Sequence, residues 1–242
     1  RELDETLLDN WTTPIINDFY VMMTNGRLHR FLASSGVENP ELVQNNLLSG
    51  EEQIESTEPT KMLLGMCDYI RKDSDMIALF NATANDQLLP RIRAQDETLY
   101  NTCLDYIERY GDRVMGELKL ESITLRQDPS FMFAVLKNFL TRDDLTRAAL
   151  TDRESHLRGE SESQVFPQIK QKLGARGLRQ FKRTLLRSRA AIKYRENMRL
   201  ARTRTFGLYR DIYLEIGAQL SFYGVLEEAR DIFWLSVDEL YA

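Results

Sequence analysis

Between Gly177 and Gly224 the chain runs for 48 residues without a proline, and apolar residues recur at helical spacing. Such a run has one economical solution, a single helix of more than a dozen turns. One line along it reads Leu185, Ile192, Arg195, Arg199, Arg202, Phe206, Tyr209, Tyr213, Ile216, Leu220, in steps of mostly three, four or seven. The apolar residues at both ends of this line predict a side that faces the interior. Arg195, Arg199 and Arg202 are then expected to point inward, where an unpaired charge is costly. Either carboxylates or an anionic ligand must meet them.

Start and stop signals divide the rest into helices. Thr13 and Pro14 open a helix that closes near Gly36, and Pro40 opens a short one ending before Gly50. Residues 50–59 are polar and acidic, an expected loop, followed by a helix over 60–72 and a short one from Asp73 or Ser74 to Phe80. The pattern from about Leu88 to Tyr110 predicts one helix opened by Pro90 and stopped by a left-handed Gly111. Residues 111–128 lack helical periodicity and are expected to be an ordered loop. Asp128-Pro129 then opens a helix over 130–140. A charged helix over 142–158, a polar break at 159–163 and a helix reaching Gly174 precede the long one. Ser236 and Glu239 have the spacing of a capping box. The expected class is all-α: one helical domain over 1–242, organised around a very long C-terminal helix.

Charge is uneven. Residues 176–210 hold ten arginines and two lysines against one acid, Glu196, while the whole chain is −5. An acidic remainder around a basic helix weighs against a nucleic-acid surface. No apolar run reaches the ~18–20 residues that span a bilayer. The charged start Arg1-Glu2-Leu3-Asp4-Glu5 carries no signal-peptide pattern, and both ends are expected to be cuts from a longer polypeptide. Two cysteines, Cys67 and Cys103, cannot build a disulfide framework and fit a reducing, cytoplasmic setting.

The sequence contains no phosphate-cradling glycine loop, no His-Glu-x-x-His and no Cys-x-x-Cys. His29 and His156 read as surface residues, and no pair of His or Cys has metal-ligand spacing. Three polar constellations remain. Arg195 and Arg199, continued by Arg202 and Arg204, can grip an anion from one helix face or pair with structural carboxylates. Arg113 with Glu117, Lys119 and Glu121 lies in the glycine-containing loop, where function often concentrates. Pro14, Asn17 and Asp18 follow Trp11 at the first helix, either as a cap and first turn or as the lining of a pocket.

These segments also carry a resemblance. Trp-Thr-Thr-Pro-Ile-Ile-Asn-Asp-Phe (11–19), Arg-Tyr-Gly-Asp-Arg-Val-Met-Gly-Glu-Leu-Lys-Leu-Glu (109–121) with Asp128-Pro129, Arg-Glu-Asn-Met-Arg (195–199), and the 224–240 segment resemble the central region of phosphoenolpyruvate synthase-like enzymes, rifampicin phosphotransferases among them. The resemblance covers nearly the whole chain in order. It implies an ATP-dependent phosphotransferase in which an ATP-grasp domain and a swivelling phosphohistidine domain, both outside this chain, work with a helical domain that presents a small-molecule acceptor. It implies ATP and Mg for the parent enzyme and none bound by this chain, which alone should not turn over phosphate. Residues 14–18 would line the acceptor pocket. Arg195 and Arg199 would match the family's Arg-Glu-x-x-Lys/Arg pattern near the incoming phosphohistidine or its acceptor, with Arg113, Glu117 and Arg202 as further binding residues. The alternative is a non-catalytic helical scaffold or partner-binding domain.

Overall fold

A computed structural model describes residues 12–49, 57–113 and 119–240. Among these residues there are helices and turns but no strand. They form α1 (Thr12–Ser34), α2 (Pro40–Leu48), α3 (Glu58–Ile70), α4 (Ser74–Ala82), α5 (Asn85–Gln95), α6 (Glu97–Tyr110), α7 (Ser130–Leu140), α8 (Arg147–Phe222), a 3-10 turn (Ala229–Trp234) and α9 (Val237–Leu240). The chain gathers into two compact units. One comprises Arg1–Gly65 and Asp143–Arg199, the other Met66–Arg142 and Leu200–Ala242.

The long helical run α8 contains one non-helical residue, Gly174, at φ 69° and ψ −176°. This left-handed position suits glycine, which has no Cβ to clash there. The chain doubles back at this point. The rings of Phe166 and Phe181 meet edge to face with centroids 6.2 Å apart, whereas fifteen residues of straight helix would separate them by about 22 Å. Gly174 thus ends one helix and lets the next begin, as the sequence indicates. The polar stretch 159–163 does not break the first of these; it is helical throughout.

That reversal builds the core of the first unit. Val165, Ile169, Phe181 and Leu185 pack with Leu28 and Leu32 of α1, Val37 of the following turn, and Leu47 of α2, all buried. Phe31 adds an edge-to-face contact with Phe181 at 6.0 Å. The turn after α1 uses Gly36 at φ 74° and bonds the Val37 N–H to the Leu32 carbonyl, a Schellman closure with a buried residue just beyond it. Arg189 secures the end of α2: its Nε donates to the Leu47 carbonyl at 3.0 Å, and its Nη2 pairs with Glu162 at 2.8 Å.

In the second unit, Met66, Cys67, Ile70, Met76, Phe80, Leu88, Ile92, Leu99, Cys103, Phe133 and Leu136 are buried. Cations again seal helix C-termini, where orphan carbonyls and the helix dipole favour them. Arg71 donates to the Phe139 carbonyl in the last turn of α7 and to the Arg142 carbonyl beyond it, at 2.8 and 2.7 Å, and Lys137 donates to the Thr83 carbonyl after α4 at 2.6 Å.

Several local expectations change. The 88–110 segment is two helices, because the Asp96 carboxylate accepts from the Leu99 N–H and starts α6, while Pro90 sits inside α5. Gly111 is right-handed, at φ −61° and ψ −24°. What constrains it is space: a Cβ there would lie 3.2 Å from the Arg126 Cβ. Asp73 and the Ser236–Glu239 box cap their helices as read, whereas Pro129 takes the N-cap of α7 and Asp128, one residue earlier, accepts from the Ser130 N–H. Thr13 lies inside the first turn of α1 rather than before it.

Candidate functional site

The inward-facing arginine line is displaced in the structure. Along the second half of α8 the buried residues are Phe181, Thr184, Leu185, Ser188, Ala191, Leu200, Thr203, Gly207, Arg210 and Gly217. From Leu200 onward this row runs one residue after the line traced through Arg199, Arg202, Phe206, Tyr209 and Ile216. Steps of seven drift about 20° per heptad against an α-helix, about 40° by Arg199 and about 100° by Leu220, so the traced line moves steadily off the buried row. Arg195 and Arg199 are accordingly exposed and Arg202 is half-buried. The expectation that all three turn inward is therefore corrected.

Arg195 still has a partner. Its Nε lies 2.9 Å from Asp18 Oδ1, and the two side chains are 49% and 58% exposed. Two candidate segments far apart in sequence, at the start of α1 and in the middle of α8, thus meet within the first unit. Pro14 stands in the first turn of α1, where a missing N–H costs nothing, and is half-buried. Asn17 is half-buried too, and its Nδ2 is shut off from solvent with no hydrogen-bond partner among the described residues. A step of four residues separates Arg195 from Arg199, placing them on one side of α8.

The surface around Asp18 is apolar. Ile15, Ile16, Phe19, Met22 and Met23 are between 46% and 68% exposed, and Tyr194, beside Arg195, is 62% exposed. Ile15, Asp18, Phe19 and Met22 follow steps of three and four, so the carboxylate lies within an apolar stripe of α1. Contiguous exposed apolar surface of this kind marks binding sites rather than ordinary solvent faces. Chemically, a carboxylate can accept a hydrogen bond from a hydroxyl, guanidiniums one turn apart can hold phosphoryl or carboxylate oxygens, and the stripe can cover an apolar body.

The remaining candidates belong to the second unit. Arg113 is half-buried at the start of the loop, its charge opposing the burial that pushes Tyr106 up to about 12. Glu117 lies outside the described residues. Lys119 and Glu121 are exposed and contribute backbone carbonyls rather than side chains. Lys119 accepts from Arg210 Nη2 at 2.8 Å, Leu120 accepts from Arg210 Nε at 2.9 Å, and Glu121 accepts from Arg230.

Arg210 is the residue that the sequence reading passed over. It is 1% exposed, its Nη1 has no hydrogen-bond partner among the described residues, and burial lowers its pKa against the opposing pull of Asp112 and Asp211. Two small or charged neighbours complete this face. Gly207 packs so closely on Asp112 that a Cβ would lie 2.5 Å from its Cγ, and Arg126 reaches Asp112 Oδ1 at 3.3 Å. The signal for Arg210 was its place in the true 3.6-residue row.

No group of three His, Cys, Asp or Glu side chains suited to a metal occurs among the described residues. His29 is half-buried, and His156 is exposed beside Glu160. Cys67 and Cys103 are free and buried, their thiols pushed up to about 12 by burial. Among the described residues no helix is long and apolar enough to cross a membrane.

A family model described as the rifampicin phosphotransferase fourth domain matches residues 13–196. A rifampicin phosphotransferase from Streptomyces sp is 25% identical over 182 residues, covering 73% of this chain and 21% of that protein. A second, from Bacillus subtilis (strain 168), is 23% identical over 185 residues, covering 74% and 21%. The chain spans about a fifth of the length of these relatives.

Proposed function

The chain belongs to the rifampicin phosphotransferase fourth-domain family, and from that membership we propose that it is the acceptor-binding helical domain of an ATP-dependent phosphotransferase. In this reading an ATP-grasp domain and a phosphohistidine-bearing domain of the same polypeptide supply the phosphoryl group, with ATP and Mg held elsewhere in the parent.

The observation that carries the proposal is the Asp18–Arg195 pair set in the exposed apolar stripe of α1. Because the pair is half in water, its mutual attraction is modest, and a ligand can replace either half at small cost. The stripe of Ile15, Phe19 and Met22 covers the apolar body of the acceptor. Asp18 and Asn17 orient a hydroxyl. Arg195 and Arg199 steady the incoming phosphoryl oxygens. Rifampicin, named by both relatives, is the first acceptor to try.

Calorimetric titration of the chain with rifampicin tests this directly. Saturable binding that weakens at least about tenfold, ~1.4 kcal/mol, in Phe19→Ser supports it. Equal binding by Phe19→Ser and by Asp18→Asn removes this surface from consideration.

A further inference from the structure

From Ser163 to Arg195 the sequence contains no Asp or Glu but ten arginines and lysines. Some are absorbed locally: Arg189 pairs with Glu162, and Lys182 sits over the Phe166 ring at 4.4 Å. Four are not. Arg176, Arg179, Arg183 and Arg187 are exposed, and no carboxylate among the described residues pairs with them. At 100° per residue they fall on the side of α8 opposite buried Phe181, Leu185 and Ser188. They form a straight basic ridge about 16 Å long. Leu186, 64% exposed, flanks it, and Tyr194, 62% exposed, continues its line.

We infer that this ridge is a docking surface for an acidic helical segment of a protein. The guanidiniums recur at steps of three, four and four residues, which matches carboxylates spaced by one turn along a facing helix. Arginine and tyrosine are the side chains that most often anchor interfaces, and Leu186 adds dry contact beside the ion pairs. The opposite face of this helix is committed to the core of its own unit, so the ridge cannot sink into a lipid surface as an amphipathic helix would. Nucleic acid fits less well: the ridge is convex, Tyr194 is its one stacking ring, and the acidic balance of the whole chain repels a dense phosphate backbone.

The test uses the whole chain and a fluorescein-labelled helical peptide of about 20 residues, long enough to hold a helix in water, with glutamates in one helical row. A peptide of the same composition with scrambled glutamates and a poly-uridine RNA are the comparison probes. The row peptide should bind at least about tenfold tighter than either. Arg179→Glu with Arg183→Glu should abolish that binding while leaving the melting curve unchanged, and a lysine-row peptide should bind this variant. Neutralising Arg176→Gln with Arg187→Gln gives a second, milder loss. Equal binding of row and scrambled peptides, no saturable binding, or tighter binding of RNA each overturns the inference. Rifampicin binding by the reversed variant should be unaffected, which separates this surface from the acceptor site.

Discussion

Asp18 Oδ1 and Arg195 Nε, 177 positions apart in sequence, stand 2.9 Å apart on the surface of the first unit. Neither is buried, so their attraction contributes little to folding. Arg195→Ala should lower stability by no more than about 1 kcal/mol, read from urea denaturation. A loss several times larger would make the pair a structural clamp instead of a ligand-ready contact.

Arg210 should behave in the opposite way. Its guanidinium is buried and carries two hydrogen bonds that hold the backbone at Lys119 and Leu120. Arg210→Ala should cost roughly 3 kcal/mol or more, since hydrogen bonds from a charged donor each contribute about 1.5–3 kcal/mol. Limited proteolysis should then cut near residues 119–128 first. Arg204→Ala, exposed on the same helix, should change neither readout.

Glycines give a matched pair of outcomes. A Cβ on Gly217 would lie 2.0 Å from the Ala229 carbonyl oxygen, which is backbone and cannot swing aside. Gly217→Ala should therefore destabilise the second unit and loosen the 3-10 turn. At Gly26, inside α1, nothing lies within 4 Å of the added methyl, and Gly26→Ala should raise stability by about 0.5–1 kcal/mol. Thermal melts of the two variants should move in opposite directions.

The buried thiols predict an alkaline limit. Cys67 and Cys103 are pushed from an ordinary 9.0 to about 12, and Tyr106 from 10.0 to about 12. Between those values the unfolded chain releases protons that the folded chain retains. Stability is thus fully present below about pH 9 and falls as pH rises toward 12. Chemical denaturation at pH 8 and pH 10.5 should show the decline, and Cys103→Ala should reduce its slope. Neither thiol should react with an aromatic disulfide reagent at pH 8 until the protein is unfolded.

Local chemistry made most helix boundaries legible. Pro40, Gly36, Gly174, Asp73, Asp128 and Ser236 each act through a side chain or a dihedral that a short stretch of sequence determines. Asp96 was missed because a proline at position 90 resembles a helix start, although proline can also sit within the first turns of a helix. The arginine line failed for a geometric reason: a small angular error per heptad exceeds the width of a buried stripe over five heptads. The face of α1 was illegible for another. Its apolar residues Ile15, Ile16, Phe19, Tyr20, Val21, Met22 and Met23 surround the helix, so periodicity cannot choose a side. Only packing shows that Val21 is buried and the others are left in water or nearly so.

The methionines offer the most direct measurement of acceptor binding. Met22 and Met23 lie exposed on the α1 stripe, while Met66, Met76 and Met132 are buried in the second unit. Methyl NMR of 13C-methionine-labelled chain should show Met22 and Met23 shifting together and saturably as rifampicin is added, with the three buried methyls unmoved and the response lost in Asp18→Asn with Arg195→Ala. Saturable binding that leaves Met22 and Met23 in place would contradict the assignment of the acceptor to this face.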